Sequence, residues 1–250
     1  MIPVVILALI GGLIYGSFLN VLLWRLPEGR GINGRSHCRS CRHQLAWSDL
    51  IPVVSFLVLR GKCRYCHARI HIRYPLVELT TAIVLGTFFA IRAPILSPAT
   101  VIAIFGLLIL TSLFFFDLLY LILPDVLIFP AIGIYAIYDL WQLENPTSYF
   151  LTALLLAGFF ATLYAVSRGK SLGLGDVKLV FLLGLMLGYP LGFVTVVLAI
   201  WLATLVALVL LITGKVVRTS AIPLGSFLAI SAIISIIFYY ETFPFIYLFR

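Results

Sequence analysis

"SLGLGDVKLV", residues 171–180, places the carboxylate of Asp176 between long apolar runs. The run before it is "YFLTALLLAGFFATLYAV" (149–166), and the run after it is "FLLGLMLGYPLGFVTVVLAIWLATLVALVLLITG" (181–214). Runs of roughly 20 apolar residues are long enough to cross a bilayer as helices. An ionisable group at membrane depth is costly and usually marks function. The stretch therefore predicts a membrane protein with a functional carboxylate.

The composition of the whole chain indicates the same class of protein. Of its 250 residues, 63% are hydrophobic and 10% are charged, and the mean hydropathy is +1.17. An ordinary soluble domain carries about 25% charged residues. Helices satisfy their own backbone hydrogen bonds in lipid, so we expect an all-α polytopic membrane protein. About eight transmembrane helices are predicted, near residues 2–23, 76–91, 99–121, 126–141, 149–166, 177–189, 191–213 and 223–240.

The distribution of basic residues predicts the topology. The net charge is +8, and ten of the seventeen Lys and Arg residues lie between Arg25 and Arg73. With alternating helices, the side that carries most of the basic residues is cytoplasmic. This places the N-terminus outside and accounts for the charge without a nucleic-acid partner. The same side holds Arg168, Lys170, Lys178, Lys215 and Arg218, and the opposite side holds Arg92 and Arg250.

Three segments are expected from this pattern. The first transmembrane helix occupies residues 1–24, and it is expected to be retained because no basic residue precedes its apolar run. A polar cytoplasmic insert occupies residues 25–75, and a transmembrane core occupies residues 76–250.

The polar insert contains two cysteine motifs, "HCRSCRH" (37–43) and "GKCRYCH" (61–67). Two CxxC pairs can form the two halves of a structural zinc site with four thiolate ligands. Two disulfides are the alternative, but a cytoplasmic loop keeps its thiols reduced, which favours zinc. The flanking histidines, His37, His43 and His67, are interpreted as exposed loop residues. The predicted zinc ligands are Cys38, Cys41, Cys63 and Cys66.

Only nine residues are acidic, so each can be considered separately. Three of them fall near the outer helix ends and are expected to be solvated: Asp139, Glu144 and Glu241. Asp117 and Asp125 instead lie in the apolar stretch "ILTSLFFFDLLYLILPDVLIFP" (109–130), and Asp176 opens the sixth predicted helix. The predicted topology brings these three carboxylates to the cytoplasmic side at one depth.

Paired carboxylates indicate aspartic-protease chemistry. Two close carboxyl groups cannot both ionise easily, so one keeps its proton while the other acts as a base toward a shared water. Gly173 and Gly175 lack side chains and would let a substrate backbone approach Asp176. The chain has no GxSxG or HExxH motif, and its histidines are confined to the insert. The alternatives are a transporter or proton channel that uses membrane aspartates as relays, and a zinc-knuckle adaptor anchored by inert helices.

Several motifs in order resemble the type IV prepilin peptidases, a family of GxGD aspartyl proteases. They are "GSFLNVLLWRLP" (16–27), the two CxxC pairs, "IPVVSFLVLRGKCRYC" (51–66), "RYPLVELTTA" (73–82), "FFDLLYLILPD" (115–125), "GLGDVKL" (173–179) and "IPLGSFLAISA" (222–232). The resemblance implies that Asp117 and Asp176 are catalytic, and that Asp125 and Lys178 are supporting residues.

The resemblance also implies a substrate and a setting. Such enzymes remove the basic leader of prepilins and pseudopilins at the cytoplasmic face of the bacterial inner membrane. They serve type IV pili, protein secretion or competence. Many then methylate the new N-terminal amine with S-adenosylmethionine. The insert is too small for a doubly wound nucleotide-binding domain and has no GxGxxG, so the sequence identifies no residue for that cofactor.

The basic leader expected from the resemblance requires acidic contacts. We expect Glu28, Asp49 or Glu78 to receive it, because the insert itself is basic. Two departures from the family pattern are Leu118 and Leu119 after Asp117, and Leu224 and Ser226 in the last motif, where Phe and Pro are usual. Neither departure is expected to touch the catalytic positions.

Overall fold

The computed structural model describes residues 2–92, 97–142, 145–170, 172–214 and 222–238. Within these ranges the chain is helical, with two isolated β-bridges and no strand. Its helices are α1 (Ile2–Arg25), α2 (Val54–Val58), α3 (Arg73–Arg92), α4 (Pro98–Tyr120), α5 (Asp125–Gln142), α6 (Pro146–Ser167), α7 (Leu174–Leu187), α8 (Leu191–Ile212) and α9 (Leu224–Phe238), with a 3-10 turn at Trp47–Leu50. The predicted all-α fold is confirmed. Five charged residues of the sequence argument lie outside the described residues: Glu144, Lys215, Arg218, Glu241 and Arg250.

The described part of the chain has five helices that are long and apolar enough to cross a membrane, namely α1, α3, α4, α6 and α8. The other three predicted spans, α5, α7 and α9, are present as helices, but α7 and α9 have only 14 and 15 residues. That these three also cross the bilayer stays a prediction.

By its contacts the chain divides into two compact units, residues 1–95 and residues 96–250. The predicted segment boundaries after residues 24 and 75 both fall inside the first unit. We describe each unit by itself.

Close packing of α1 against α3 organises the first unit. A methyl group added at Gly12 would lie 2.5 Å from the Cα atom of Ala82, and one at Gly16 would lie 2.6 Å from the Cα atom of Glu78. Small residues four positions apart let two membrane helices approach until their backbones touch. Van der Waals contact between backbones therefore contributes to holding this pair together.

The segment between α1 and α3 has little apolar core. Between residues 26 and 74, all of which are described, Cys63 is the only buried residue. Polar contacts hold the segment instead. At the end of α1, the guanidinium of Arg25 donates hydrogen bonds to the backbone carbonyls of Ile32 and Asn33 at 2.6 Å and of Gly34 at 3.1 Å. Arg25 therefore fixes the path of the chain as it leaves the helix.

The second unit is built around α7. This short helix packs against α5, α6, α8 and α9, and every residue from Leu182 to Leu187 is buried. A helix that is apolar on all sides is one that is surrounded, which explains why α7 lacks a polar face. Around it, α4 packs against both α5 and α9, so the last turn of α4 and the first turns of α7 and α9 belong to one packed body.

Candidate active site and metal centre

Asp117 lies in the last turn of α4 and is 6% exposed. The helix ends at Tyr120, the following Leu121 takes a left-handed conformation with φ 55°, and the chain turns through Pro124 into α5. A carboxyl group so thoroughly buried requires hydrogen-bond donors. The neighbouring Leu118 and Leu119 are exposed and do not share the buried position of Asp117.

Ser226 supplies two donors to Asp117. Its backbone N–H donates to Oδ2 of Asp117 at 2.5 Å, and its hydroxyl donates to the same oxygen at 3.0 Å. Because α9 begins at Leu224, the Ser226 N–H is among the first amides of the helix, which have no partner inside it. Asp117 thus occupies the position of a capping anion, where the helix dipole favours negative charge.

The expectation that Ser226 would touch neither catalytic position is therefore wrong. The contact joins residues 109 positions apart, and it depends on how α9 packs on α4, which local sequence does not specify. Gly225 contributes as well, since a methyl group there would lie 3.0 Å from the carboxyl carbon of Asp117. The motif "IPLGSFLAISA" was the available signal, although its glycine and serine had no role assigned to them.

Asp176 lies in the first turn of α7, as the sequence predicted. Its Oδ2 atom accepts a hydrogen bond from the backbone N–H of Gly173 at 3.3 Å. This gives a partner to one of the N–H groups at the start of the helix, which have none inside it. It is half-buried and close enough to Asp117 for the two carboxyl groups to interact electrostatically. The structure thus brings the two predicted aspartates together, with each carboxyl group at a helix N-terminus.

The two glycines of "GLGD" differ in their surroundings. A methyl group at Gly175 would lie 3.1 Å from the Cβ atom of Leu123, so this position is close-packed against the α4–α5 turn. A methyl group at Gly173 would lie 3.6 Å from Asp176, which is an ordinary contact distance. Of the two, Gly175 is therefore the position where an added side chain would force Leu123 to shift.

Asp125 and Lys178 form an ion pair with a distance of 2.7 Å between Nζ and Oδ1. Asp125 is the first residue of α5 and its side chain is largely exposed, while Lys178 also lies over the ring of Phe129. The pair joins the start of α5 to the first turns of α7. Asp125 therefore has a different partner and a wetter environment than Asp117.

The four cysteines of the first unit form a cluster without disulfides. Their four Sγ atoms all lie within 4.8 Å of one another, and those of Cys38 and Cys66 are 3.8 Å apart. With Zn–S bonds of about 2.3 Å, the sulfur atoms of a tetrahedral site lie about 3.8 Å apart. The cluster therefore has the donor set and the size of a closed four-thiolate zinc centre.

The two halves of the cluster have the same backbone pattern. In the first, the Cys38 N–H donates to His43 and the Arg42 N–H donates to Cys38; in the second, Cys63, Ala68 and His67 repeat this arrangement. Arg42 and His67 both take left-handed conformations. The bridges His37–Gln44 and Lys62–Arg69 close the two loops. Each CxxC thus forms a knuckle, and the flanking His37, His43 and His67 are exposed as expected.

The thiols of the cluster influence each other's ionisation. Burial raises the pKa of Cys38, but the backbone N–H groups of Cys41 and Ser40 lower it by more, to about 7. At Cys66 the Ala68 N–H lowers the pKa, but burial and the neighbouring thiols raise it to about 11. Once one thiol has ionised, its negative charge disfavours ionisation of the others. A bound cation is what allows four thiolates to coexist.

The three acidic residues predicted to meet a basic leader lie in different settings. Glu28 is exposed and pairs with Arg30 at 2.8 Å. Asp49 accepts hydrogen bonds from Arg64 at 2.7 Å and from Tyr65 at 3.2 Å. Glu78 is 8% exposed and accepts one from the Val53 N–H at 2.7 Å. Asp49 and Glu78 line a common cavity of about 540 Å³ inside the first unit, and Glu28 does not.

The expectation that Asp139 is a solvated residue is wrong. It is 1% exposed, and its Oδ2 atom has no hydrogen-bond partner among the described residues. It lies one turn from the end of α5 and lines a cavity of about 20 Å³ with Tyr138 and Tyr149. The prediction placed it by its distance from the helix end, whereas the face of α5 decides its burial.

Comparison with known proteins agrees with this division of the chain. Residues 10–92 match the bacterial peptidase A24 N-terminal domain, and residues 102–212 match the type IV leader peptidase family. No solved structure matches the chain.

Curated relatives match over most of both chains. A prepilin leader peptidase/N-methyltransferase from Klebsiella pneumoniae is 36% identical, covering 72% of this chain and 83% of the relative. A type 4 prepilin-like proteins leader peptide-processing enzyme from Escherichia coli O78:H11 (strain H10407 / ETEC) is 33% identical, covering 92% and 93%. A prepilin leader peptidase/N-methyltransferase from Pseudomonas putida is 32% identical, covering 92% and 89%. This is a membrane-integral protein, and it belongs to the type IV leader peptidase family.

Proposed function

We propose that this protein is a membrane aspartyl endopeptidase that removes the leader peptide of type IV prepilins or pseudopilins. The observation that carries the proposal is the meeting of Asp117 and Asp176 at two helix N-termini, within the unit that matches the leader peptidase family. Two interacting carboxyl groups, one acting as the base and one as the acid, can hydrolyse an amide without a metal or a covalent intermediate.

In the proposed mechanism the two carboxyl groups share one water. One is ionised and takes a proton as the water attacks the scissile carbonyl, while the other is protonated and donates toward the carbonyl oxygen. Because Oδ2 of Asp117 accepts both hydrogen bonds from Ser226, we assign the proton transfer at Asp117 to Oδ1. The N-terminus of α7 adds a positive dipole end that favours the developing oxyanion. The Asp125–Lys178 pair supports the start of α7 from outside this centre.

The cysteine cluster is proposed to hold one zinc ion in a structural role. Four thiolates complete the coordination of zinc and leave no open position for a reacting water. The ion would replace the apolar core that the segment between α1 and α3 lacks.

A second activity, methylation of the new N-terminal amine, is proposed because two of the relatives are prepilin leader peptidase/N-methyltransferases. S-adenosylmethionine would supply a methyl group bonded to a positively charged sulfur. The amine lone pair would form the new N–C bond as the C–S bond breaks, leaving its electron pair on sulfur, and the methylated ammonium would lose its proton to water.

We further propose that the protein lies in the bacterial inner membrane with its N-terminus outside and with the cysteine insert and the aspartates on the cytoplasmic side. The basis is the positive-inside rule applied to residues 25–73. In this topology Glu28, Asp49 and Glu78 belong to the side of the membrane on which the basic leader would lie.

The function is tested by incubating the purified protein with a prepilin in lipid nanodiscs and identifying the products by mass spectrometry. A leader fragment that depends on both aspartates supports the proposal. If no leader is released, and the protein instead carries protons across liposome membranes, the transporter alternative is correct.

The leader contacts have their own test. Reversing the charge of Glu28, Asp49 or Glu78 should weaken processing of a basic leader, and a leader of reversed charge should recover part of the loss. Unchanged processing in all three variants would refute the acidic contact.

A further inference from the structure

The short helix α2 of the first unit carries an exposed apolar face that the proposed peptidase mechanism does not use. Val54, Leu57 and Val58 are all exposed, the last two by 66% and 71%. Their spacing of three and four residues places them on one face of the helix. On the other side of α2, Ser55 and Phe56 line the internal cavity of the unit. The helix therefore turns one face inward and leaves the apolar one exposed.

The 3-10 turn before α2 extends this exposed face. The turn packs against α2, and its first residue, Trp47, is 80% exposed. Ile51, which lies between the turn and the helix, is also exposed. An exposed apolar patch marks a site of interaction with another protein, a ligand or a membrane. We refer to these five exposed residues as the α2 patch: Trp47, Ile51, Val54, Leu57 and Val58.

A hydrogen bond to α3 fixes the depth at which α2 lies. The N–H of Val53, immediately before α2, donates to the Glu78 carboxylate at 2.7 Å. Glu78 lies in the second turn of α3, a helix long and apolar enough to cross a membrane. At 1.5 Å of rise per residue, it is only about 8 Å from the start of that helix. The α2 patch is therefore tethered beside the first turns of a membrane helix, where a bilayer presents its headgroups.

The charge around the patch complements an anionic surface. Between residues 25 and 73 there are ten Lys and Arg residues and two acidic residues. Arg60 and Lys62 follow the patch directly, are exposed, and form no ion pair with any described residue. Basic side chains next to an apolar face are typical of segments that lie in the interface of an anionic membrane. Tryptophan is enriched at the same level.

We infer that the α2 patch lies in the headgroup region of the membrane that α1 and α3 cross. Its apolar side chains contact the upper acyl chains, and Arg60 and Lys62 attract anionic phospholipids. The segment between α1 and α3 then has a third attachment to the membrane besides its two helix connections. This attachment holds the cysteine knuckles close to the membrane surface. The inference rests on the membrane-integral character of the chain and is independent of the proposed peptidase and methyltransferase activities.

Quenching of Trp47 by lipids tests the inference. The full-length protein keeps Trp47 as its only tryptophan, with Trp24, Trp141 and Trp201 changed to Phe, in nanodiscs of phosphatidylcholine and phosphatidylglycerol. Lipid bromine atoms near the headgroups should remove about half of the Trp47 emission, and more than bromine atoms near the chain ends, because the ring lies at the interface. A protein that keeps only Trp201 is the reference for depth. Trp201 is exposed at the middle of α8, so bromine atoms near the chain ends should quench it most.

Variants of the patch identify what holds it. In the protein that keeps only Trp47, Leu57→Glu combined with Val58→Glu should reduce the lipid quenching about twofold or more, because apolar area drives interfacial binding. Ile32→Glu is the matched control: it makes the same change at an exposed aliphatic residue outside the patch and should leave the quenching unchanged. Arg60→Gln combined with Lys62→Gln should weaken the quenching in nanodiscs that contain phosphatidylglycerol, but not in pure phosphatidylcholine. Zinc content and thermal unfolding report whether each variant folds.

The contrary results are distinct from one another. If aqueous iodide quenches Trp47 and lipid bromine does not, the patch faces water and the inference is wrong. If neither quenches it, a protein surface covers the patch, either the second unit or another copy of the chain, and the inference is again wrong. Lipid quenching that the Leu57 and Val58 changes leave intact would show that Trp47 reaches lipid without the patch. Equal quenching in both kinds of nanodisc would refute the attraction of Arg60 and Lys62 to anionic lipid.

Discussion

The cysteine insert of the first unit and the helical core of the second are stabilised in opposite ways. From residue 26 to residue 74, Cys63 is the only buried residue, and hydrogen bonds shape two cysteine knuckles whose Sγ atoms cluster. Around α7, every side chain from Leu182 to Leu187 is enclosed by other helices. The insert should therefore depend on a metal, whereas the core should depend on packing and can keep carboxyl groups in place without one.

The largest expected effect concerns the two aspartates of the core. Asp117→Asn and Asp176→Asn preserve shape but remove acid–base capacity, so each should reduce leader cleavage by about 10³-fold or more. Asp125→Asn should have a milder effect, because Asp125 pairs with Lys178 at an exposed position. Cleavage rates are measured by mass spectrometry, with zinc content and thermal unfolding as controls. If Asp125→Asn abolishes cleavage while Asp117→Asn remains active, Asp125 is the partner of Asp176.

Metal removal should separate the two regions. Structural zinc contributes on the order of 10–16 kcal/mol of binding free energy to small metal-dependent folds. Cys63→Ser, or a strong chelator, should make residues 26–74 sensitive to proteases while the helical circular dichroism of the core is retained. Ser40→Ala, at an exposed position between two ligands, is the matched control. Resistance to proteases in the metal-free protein, together with an absence of reactive thiols, would support disulfides instead.

An intermediate effect is expected at Ser226, which donates two hydrogen bonds to Asp117, one of the two proposed catalytic groups. Ser226→Ala removes the hydroxyl donor to Asp117, and a lost hydrogen bond of about 1.4 kcal/mol corresponds to a tenfold fall in kcat. Ser226→Pro removes the N–H donor as well and should reduce kcat further, although the first turn of a helix tolerates proline.

A matched control for Ser226 lies on the same helix. Ser231 is buried, and its hydroxyl has no partner among the described residues, so Ser231→Ala should leave kcat unchanged. In the Ser226 variants KM and thermal unfolding should stay near the wild-type values. A change in KM with constant kcat would show that Ser226 contributes to substrate binding rather than to the orientation of Asp117.

The sequence predicted what local chemistry determines. The apolar runs predicted the helices, and the CxxC spacing predicted that Cys38, Cys41, Cys63 and Cys66 cluster. What it missed depends on which faces of helices meet. The hydrogen bonds from Ser226 to Asp117 follow from the packing of α9 on α4, and the burial of Asp139 follows from the rotation of α5. That Oδ1 of Asn20 is buried with no partner among the described residues likewise depends on how α1 packs, which the sequence does not specify.

The smallest expected effect concerns the polar contacts of the insert. Burial raises the pKa of Asp49, but the hydrogen bonds from Arg64, from the Ala46 N–H and from Tyr65 lower it by more, so the net pKa lies below its usual value. A lowered pKa stabilises the folded insert above the unfolded pKa of about 3.9, and this contribution disappears as the pH falls through the folded pKa. Asp49→Asn should therefore destabilise the insert at pH 7.

The pH profile separates this contribution from the zinc ligands. Thiolate protonation weakens zinc binding in wild type and variant alike, so the difference between them isolates Asp49. That difference, measured by hydrogen exchange of the insert, should stay constant from about pH 7 to pH 5 and close only below about pH 4. Glu28→Gln is the control, since its pair with Arg30 is exposed on both sides and should contribute nothing measurable. A difference that already closes between pH 7 and pH 5 would mean that Asp49 titrates above its usual pKa, and that burial outweighs its hydrogen bonds.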